Sequence, residues 1–229
     1  MENLLFMKLD VRIFVARKVD LTNLHYMYLL FYIINPNNGM LYYLKAILLE
    51  GFIMKIRKAI VQDAEGIGTV HVDSWRTTYK DIVPDEFLNK LSYKQRTLLW
   101  ERHLEDLTKL ILVVENDDGD VIGFSSAGKR ETAPFPNSIY LETLYLLEAY
   151  QGKGLGKLLL KELFLFFQQN NYQTIYVEVL ADNKTKYFYE HFGAKLITSL
   201  EINIGGKVLE ELVFEWDDIT KVFELLLNE

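Results

Sequence analysis

Cysteine is absent from the 229 residues, which removes disulfides, a thiolate nucleophile and cysteine metal sites from consideration. Histidine is scarce: His25, His71, His103 and His191 are scattered, none at the spacing of a His-Glu-x-x-His helix, so metal catalysis has no ligand set to stand on. No block of lysine and arginine interleaves with aromatics, and the net charge of −7 weighs against nucleic acid as a direct partner. An acidic body steers cationic partners, such as amines, instead. The apolar run Leu24 to Ile34 stops at Asn35-Pro36, short of the ~20 residues a membrane helix needs. It also lacks the basic flank and small-residue cleavage site of a secretory signal, so no membrane association is expected and the cytoplasm is the expected compartment. Repeats and low-complexity linkers are missing as well. What is left is one soluble domain with enough chain to bury a full core.

What the chain does have is concentrated glycine. Gln151-Gly152-Lys153-Gly154-Leu155-Gly156 lies where an apolar strand pattern, Ile139 to Leu147, gives way to a helical one. Glycines let the backbone turn sharply and approach a ligand, and they leave the first amides of the next helix unpaired. With the helix dipole behind them, those amides suit a phosphate or pyrophosphate. A tight strand-to-helix connection would use the same residues. Neither the P-loop string nor Gly-x-Gly-x-x-Gly is present, since the glycines run 152, 154, 156.

The pattern Gln-x-x-Gly-x-Gly, here Gln151, Gly154 and Gly156, resembles the acyl-CoA pyrophosphate loop of the GCN5-related N-acetyltransferase (GNAT) family. The resemblance runs from Met54 to about Asp218. Leu144-Tyr145-Leu146-Leu147 is similar to the family's fourth strand and Val177-Glu178-Val179-Leu180 to its fifth. Tyr187-Phe188-Tyr189-Glu190-His191-Phe192-Gly193 resembles its Phe-Tyr-Glu-x-x-Gly helix, and Ser74-Trp75-Arg76-Thr77-Thr78-Tyr79 occurs in one branch. The fold implied is the α/β GNAT acyl-CoA N-acyltransferase fold: a mixed central sheet of about seven strands, splayed between strands four and five and flanked by four helices. Along the chain the pattern predicts a strand over Met54 to Ile60, a helix capped by Asp63 and running to about Tyr79, and a helical region from Asp85 to about Asp106. A hairpin follows over Leu110 to Glu115 and Val121 to Lys129, then a strand Ile139 to Leu147 and a helix Lys153 to Asn170. A strand Thr174 to Leu180, a helix Lys184 to Phe192 and a last hairpin turning at Gly205-Gly206 complete the domain. Residues 54–218 form that domain, and 219–229 a helical tail.

The resemblance also implies chemistry. Acetyl-CoA is the expected co-substrate, without a metal, and the acceptor is a small-molecule or peptide amine. Main-chain groups of Leu144 and Leu146 would pair with the pantetheine arm as an added strand does. The pyrophosphate would lie on Gln151, Gly152, Lys153, Gly154, Leu155, Gly156 and Lys157, and Asn183 would reach the pantetheine. Direct attack needs a base for the incoming ammonium and an acid for the departing thiolate. Tyr189 matches the tyrosine to which the family often gives the acid role, and a phenol is protonated at neutral pH; packing of its ring in the core is the other reading. The family often places its glutamate where Tyr140 stands here. Strand alternation would set Tyr140, Glu142 and Leu144 on one face, making Glu142 the candidate base or a carboxylate in a salt bridge. Trp75, Tyr79 and Tyr140 are the candidate acceptor-binding residues, with core packing of the first helix as the alternative for Trp75 and Tyr79. An N-terminal protein acetyltransferase and a catalytically silent CoA-binding module remain as alternatives, and a homodimer is allowed.

Residues 1–53 stand apart from this pattern. They hold five Lys or Arg and four Asp or Glu, and are rich in Leu, Tyr, Ile, Asn and Phe. Glu50-Gly51 must be encoded by a purine-rich string like a bacterial ribosome-binding site, two residues before Met54. Translation beginning at Met54 is therefore expected, with 1–53 as an upstream reading frame; a true appendage, as a helical pair or a dimerisation arm, is the competing expectation. The intact mass of the protein made from its own upstream DNA separates the two.

Overall fold

The computed structural model describes residues 14–15, 27–34, 41–49, 52–131 and 135–227. The chain forms two compact units, 1–57 and 58–229. In the first, strands β1 (Phe14–Val15), β2 (Met27–Ile34), β3 (Leu41–Leu49) and β4 (Phe52–Lys58) pair antiparallel in succession. The described part of this segment is thus strand, where a helical pair was one expectation. The Asn35 to Gly39 stop and Glu50-Gly51 lie outside the described residues.

Among the described residues the second unit carries six strands and six α-helices. The helices are α1 (Ala64–Thr78), α2 (Asp85–Asn89), α3 (Tyr93–Glu105), α4 (Leu155–Gln169), α5 (Thr185–His191) and α6 (Ile219–Leu227). The strands are β5 (Leu110–Glu115), β6 (Val121–Gly128), β7 (Ser138–Leu146), β8 (Thr174–Leu180), β9 (Lys195–Ile204) and β10 (Lys207–Trp216), in the order β5-β6-β7-β8-β10-β9. Only the pair β7–β8 is parallel among these. Counted from β4 there are seven strands, as expected, and β7 and β8 are the fourth and fifth. The helix number differs from the expected four. The single region from Asp85 breaks at Lys90-Leu91, after which the Ser92 hydroxyl accepts from the Gln95 amide and starts α3 afresh, and the tail forms α6. Asp63 also acts differently from expectation. Its carboxylate accepts from the Ile60 amide at 2.7 Å, closing a 3-10 turn before α1, and it makes no side-chain capping bond to α1.

Two layers of helix cover the sheet. On one face α1 and α3 pack Ile67, Val70 and Trp100 on Ile111, Val113 and Phe124, and the C-terminal end of α1 joins α2 around Tyr79, Leu88, Leu180 and Leu209. Close approach of α1 to α3 depends on Gly68, where a Cβ would lie 2.8 Å from the Thr97 amide nitrogen. On the other face α4 buries Leu158, Leu159, Leu163 and Phe167, and Phe164 meets Trp216 edge-on at 5.3 Å. The Trp216 indole N–H donates to the Phe192 carbonyl at 2.8 Å, fixing α5 on this same face. Among the described residues no helix is long and apolar enough to cross a membrane.

Candidate active site

Pairing between β7 and β8 runs from Ser138/Thr174 to Leu141/Val177 and stops there, although β7 continues to Leu146 and β8 to Leu180. Each strand keeps its outer partner: β7 stays on β6 through Leu146, and β8 stays on β10 through Leu180. The inner edges beyond Leu141 and Val177 therefore part with their main-chain groups facing each other across a gap. A cleft of about 920 Å³ opens at this point, lined from both faces of the sheet. Leu144, Val179, Phe188 and Tyr189 line it from the α4 side, and Tyr79, Thr143 and Tyr145 from the α1 side.

A bulge explains which side chains face where. The β6 register passes from Ser126↔Thr143 to Ala127↔Leu141, so Glu142 is an extra residue on β7. Directly paired residues share a face, which sets Tyr140 (opposite Gly128), Thr143 and Tyr145 on the α1 side, and Leu141, Leu144 and Leu146 on the α4 side. Glu142 lies over Gly128 on the α1 side, its Oε1 3.2 Å from where a Gly128 Cβ would stand. Tyr140 and Glu142 thus share a face as expected, but Leu144 does not. Simple alternation fails because the bulge shifts the phase by one residue.

At the far end of the gap β7 runs through a 3-10 turn into the glycine loop. Gly152 and Gly154 have φ of 71° and 76°, left-handed values that suit glycine, and Gly154 is the N-cap of α4. The first helical bond is Leu158 N–H to Gly154 carbonyl at 3.1 Å, so the amides of Leu155, Gly156 and Lys157 have no intrahelical partner. Gly156 faces the Phe188 ring, 3.6 Å from a Cβ placed there. Gly152, Gly154, Gly156 and Lys157 line the cleft. Lys153 does not; its ammonium lies 5.7 Å from the Tyr150 ring centroid. The Leu155 side chain is buried in the core. The Gln151 amide donates to the Leu146 carbonyl at 2.9 Å, and the Ser74 hydroxyl donates to the same oxygen at 3.3 Å. Gln151 therefore ties the loop to the strand exit, and the Leu146 carbonyl is already engaged.

Three phenols meet in the cleft. Tyr79 comes from the end of α1 and its hydroxyl lies 3.2 Å from that of Tyr145. Tyr189 comes from α5 on the opposite face, buried against Trp216 and Phe188. Burial, and secondarily Tyr79, drive the Tyr189 hydroxyl well above the usual phenol range, so it stays protonated at neutral pH. Asn183 is buried, and its Oδ1 accepts from the Thr185 amide at 2.9 Å, which leaves the amide nitrogen facing Tyr79.

Charge is ordered on the α1 side. Lys109 donates to both Glu142 oxygens at 2.6 and 2.7 Å. Arg130 donates to Glu178 at 2.7 Å and stacks 4.0 Å from the Tyr140 ring centroid. Tyr140 packs on Tyr176 and Val213 below the point of splaying and does not line the cleft, unlike the acceptor-binding place expected for it. Trp75 is also removed from the cleft. Its ring packs against Tyr79 at 4.7 Å and Phe87 at 6.1 Å, because α2 folds back over this part of α1. Tyr79 does line the cleft. Sequence reasoning missed Glu178 and the phenol of Tyr145; a lone carboxylate inside the apolar run Ile175 to Leu180 was the available signal for the first.

Comparison with known proteins agrees with this fold. The model of the acetyltransferase (GNAT) family matches residues 72–194. The chain is 32% identical over 176 residues to the uncharacterized N-acetyltransferase YuaI of Bacillus subtilis (strain 168), covering 76% of this chain and 99% of that protein. It is 29% identical over 126 residues to the spermine/spermidine N(1)-acetyltransferase of the same organism, covering 53% of this chain and 82% of that one. Among solved structures, the PaiA N-acetyltransferase from Thermoplasma acidophilum in complex with coenzyme A superposes with a TM-score of 0.57 at 25% identity, over 72% of this chain and 98% of that one.

Proposed function

The chain belongs to the acetyltransferase (GNAT) family and is an acetyl-CoA-dependent N-acetyltransferase; on that premise we propose that it acetylates a primary amine of a small molecule or peptide by direct attack, with Tyr189 as the acid. The observation that carries this reading is the cleft through the sheet, open on the glycine-loop side to a phosphate-bearing chain and on the α1 side to a cationic acceptor.

The residues present fit the co-substrate. The unpaired inner edges of β7 and β8 can take a pantetheine arm as an added strand, and the free amides of Leu155, Gly156 and Lys157 at the dipole-positive end of α4 suit a pyrophosphate. When bound, acetyl-CoA supplies a thioester whose carbonyl carbon accepts the amine. Tyr189 holds its proton in a buried, apolar setting until negative charge develops on the leaving sulfur. Glu142 lines the cleft as the candidate for the proton acceptor, with Lys109 on its carboxylate. A small acceptor is favoured over a protein terminus by the β9–β10 hairpin. Lys207 donates to the Ile82 carbonyl at 2.8 Å and Gly205 abuts Phe87, so the hairpin walls the α1–α2 end of the acceptor side.

Release of CoA from acetyl-CoA over a panel of amines tests this, and the absence of cysteine means that a thiol reagent has no protein background. Tyr189→Phe should still bind acetyl-CoA and turn over about 10²–10⁴-fold more slowly. Equal turnover by the variant removes Tyr189 as the acid.

A further inference from the structure

Two phenol oxygens on the α1 side of the gap are met by more donors than they can pair. The Tyr79 and Tyr145 hydroxyls lie 3.2 Å apart, and both residues line the cleft. A group that can only donate stands at either end of the pair. At one end the Trp75 indole N–H is buried, reaches no acceptor at hydrogen-bonding distance among the described residues, and is turned toward the Tyr145 oxygen. At the other the Asn183 amide nitrogen is turned toward the Tyr79 oxygen, because its own Oδ1 already accepts from the Thr185 amide. Burial, the largest influence on both phenols, holds them above the usual range, so each keeps its proton at neutral pH.

Counting protons fixes the arrangement. A phenol has one O–H to give and two lone pairs to receive. The Tyr145 ring lies between His71 and Phe124, each 5.7 Å away by centroid, and neither offers an acceptor, since His71 Nδ1 is taken by Trp100. Tyr145 therefore gives its proton to Tyr79. The Tyr79 oxygen then accepts from Tyr145 and faces the Asn183 amide, and its own proton has no acceptor among the described residues. In that state Tyr79 is a donor only. It has no lone pair left for an ammonium and suits an oxygen that gathers negative charge. Its place agrees. Tyr189, the acid set against sulfur, stands on the α4 side of the same gap, close enough for Tyr79 to act on its charge. A donor reaching in from the opposite face meets the other polar atom of a thioester, the carbonyl oxygen.

We propose that Tyr79 donates a hydrogen bond to the acetyl carbonyl oxygen, with Tyr145 and Asn183 turning its proton into the cleft. The proposal rests on the transferase reading. Tyr79 passes on no proton: its O–H bond stays intact, and the hydrogen bond tightens as charge gathers on the carbonyl oxygen and slackens when the carbonyl re-forms. Because its neighbours hold the proton in place beforehand, no reorientation is needed as the charge appears.

The test reads the carbonyl stretch of acetyl-CoA, isotopically labelled at the acetyl carbonyl, by infrared difference spectroscopy on the full chain with no amine present. The wild-type band should lie at lower wavenumber than the Tyr79→Phe band, with thermal stabilisation by acetyl-CoA kept in both proteins. Tyr145→Phe should keep the lowered band, because Tyr79 retains its proton. With an amine that the wild type acetylates, Tyr79→Phe should lose about 10²–10³ in kcat and leave KM for the amine within roughly twofold. Equal bands in wild type and Tyr79→Phe overturn the assignment, as does a band that moves in Tyr145→Phe alone. A wild-type band no lower than that of a thioester in an apolar solvent overturns it without any variant. A raised KM for the amine with an unmoved band places Tyr79 on the acceptor instead, and also overturns it. Absence of acetyl-CoA binding to the folded wild type is a separate failure, which removes the transferase reading and this role of Tyr79 with it.

Discussion

Replacing His71 by Asn should flatten the loss of stability in acid without disturbing the fold around the cleft. His71 is buried in α1 beneath Tyr145, and its Nδ1 accepts from the Trp100 indole at 3.0 Å, so the ring is neutral with its proton on Nε2. Burial, with Arg96 and His103 adding repulsion, lowers its pKa from 6.5 to about 3. Between those values the unfolded chain binds a proton that the native chain does not. The contribution of this group is therefore complete above pH 6.5 and is lost as pH falls toward 3, by about 1.4 kcal/mol per pH unit. At pH 5 about 2 kcal/mol is gone, or roughly 4–8 °C in Tm for a domain of this size. Asn keeps an acceptor for Trp100 and has nothing to titrate. Urea unfolding at pH 7.5 and pH 5 should show a fall in stability about 2 kcal/mol smaller for His71→Asn than for the wild type. An equal fall in the two proteins would mean that His71 is protonated in the native state and that the buried indole bond has been misread. His71→Phe removes the acceptor and leaves the indole N–H unpaired, which should cost about 1–3 kcal/mol at pH 7.5.

Other perturbations separate binding from scaffold. Gly154→Glu should fold and yet lose the thermal stabilisation by acetyl-CoA, because it puts a side chain on a left-handed residue and a negative charge at the N-terminus of α4; a variant that is stabilised as fully as wild type would show that the loop is only a turn. Lys109→Ala leaves the Glu142 carboxylate partnerless. It should cost roughly 1–3 kcal/mol by urea unfolding, less than the ~3–5 kcal/mol of a fully buried pair because about a fifth of each side chain reaches water; an unchanged midpoint would mean that the pair contributes nothing.

Most of the fold could be read from local pattern. Thr174 to Leu180 agrees with expectation at both ends, and Gly205-Gly206 makes the turn with φ of 61° and 87°. The glycine loop was legible for the same reason, since left-handed positions demand a particular residue. What was not legible depends on register and tertiary contact. A bulge has no sequence mark in Leu141-Glu142-Thr143, yet it decides that Leu144 leaves the face of Tyr140. Aromatic residues at helical spacing look alike whether they line a cleft or fill a core; α2 packs against both Trp75 and Tyr79, and only Tyr79 also reaches the cleft. Gln151 and Asn183 carry amides able to bind a ligand or the chain itself, and here both bond the backbone nearby.

Everything functional turns on whether the gap between β7 and β8 takes acetyl-CoA. The direct measurement is the unfolding temperature of the full chain with and without the ligand. At ~100 times its dissociation constant, acetyl-CoA should add about 2.7 kcal/mol, a rise of roughly 5–11 °C at this size. No rise in a folded sample at millimolar acetyl-CoA would contradict the assignment of the cleft.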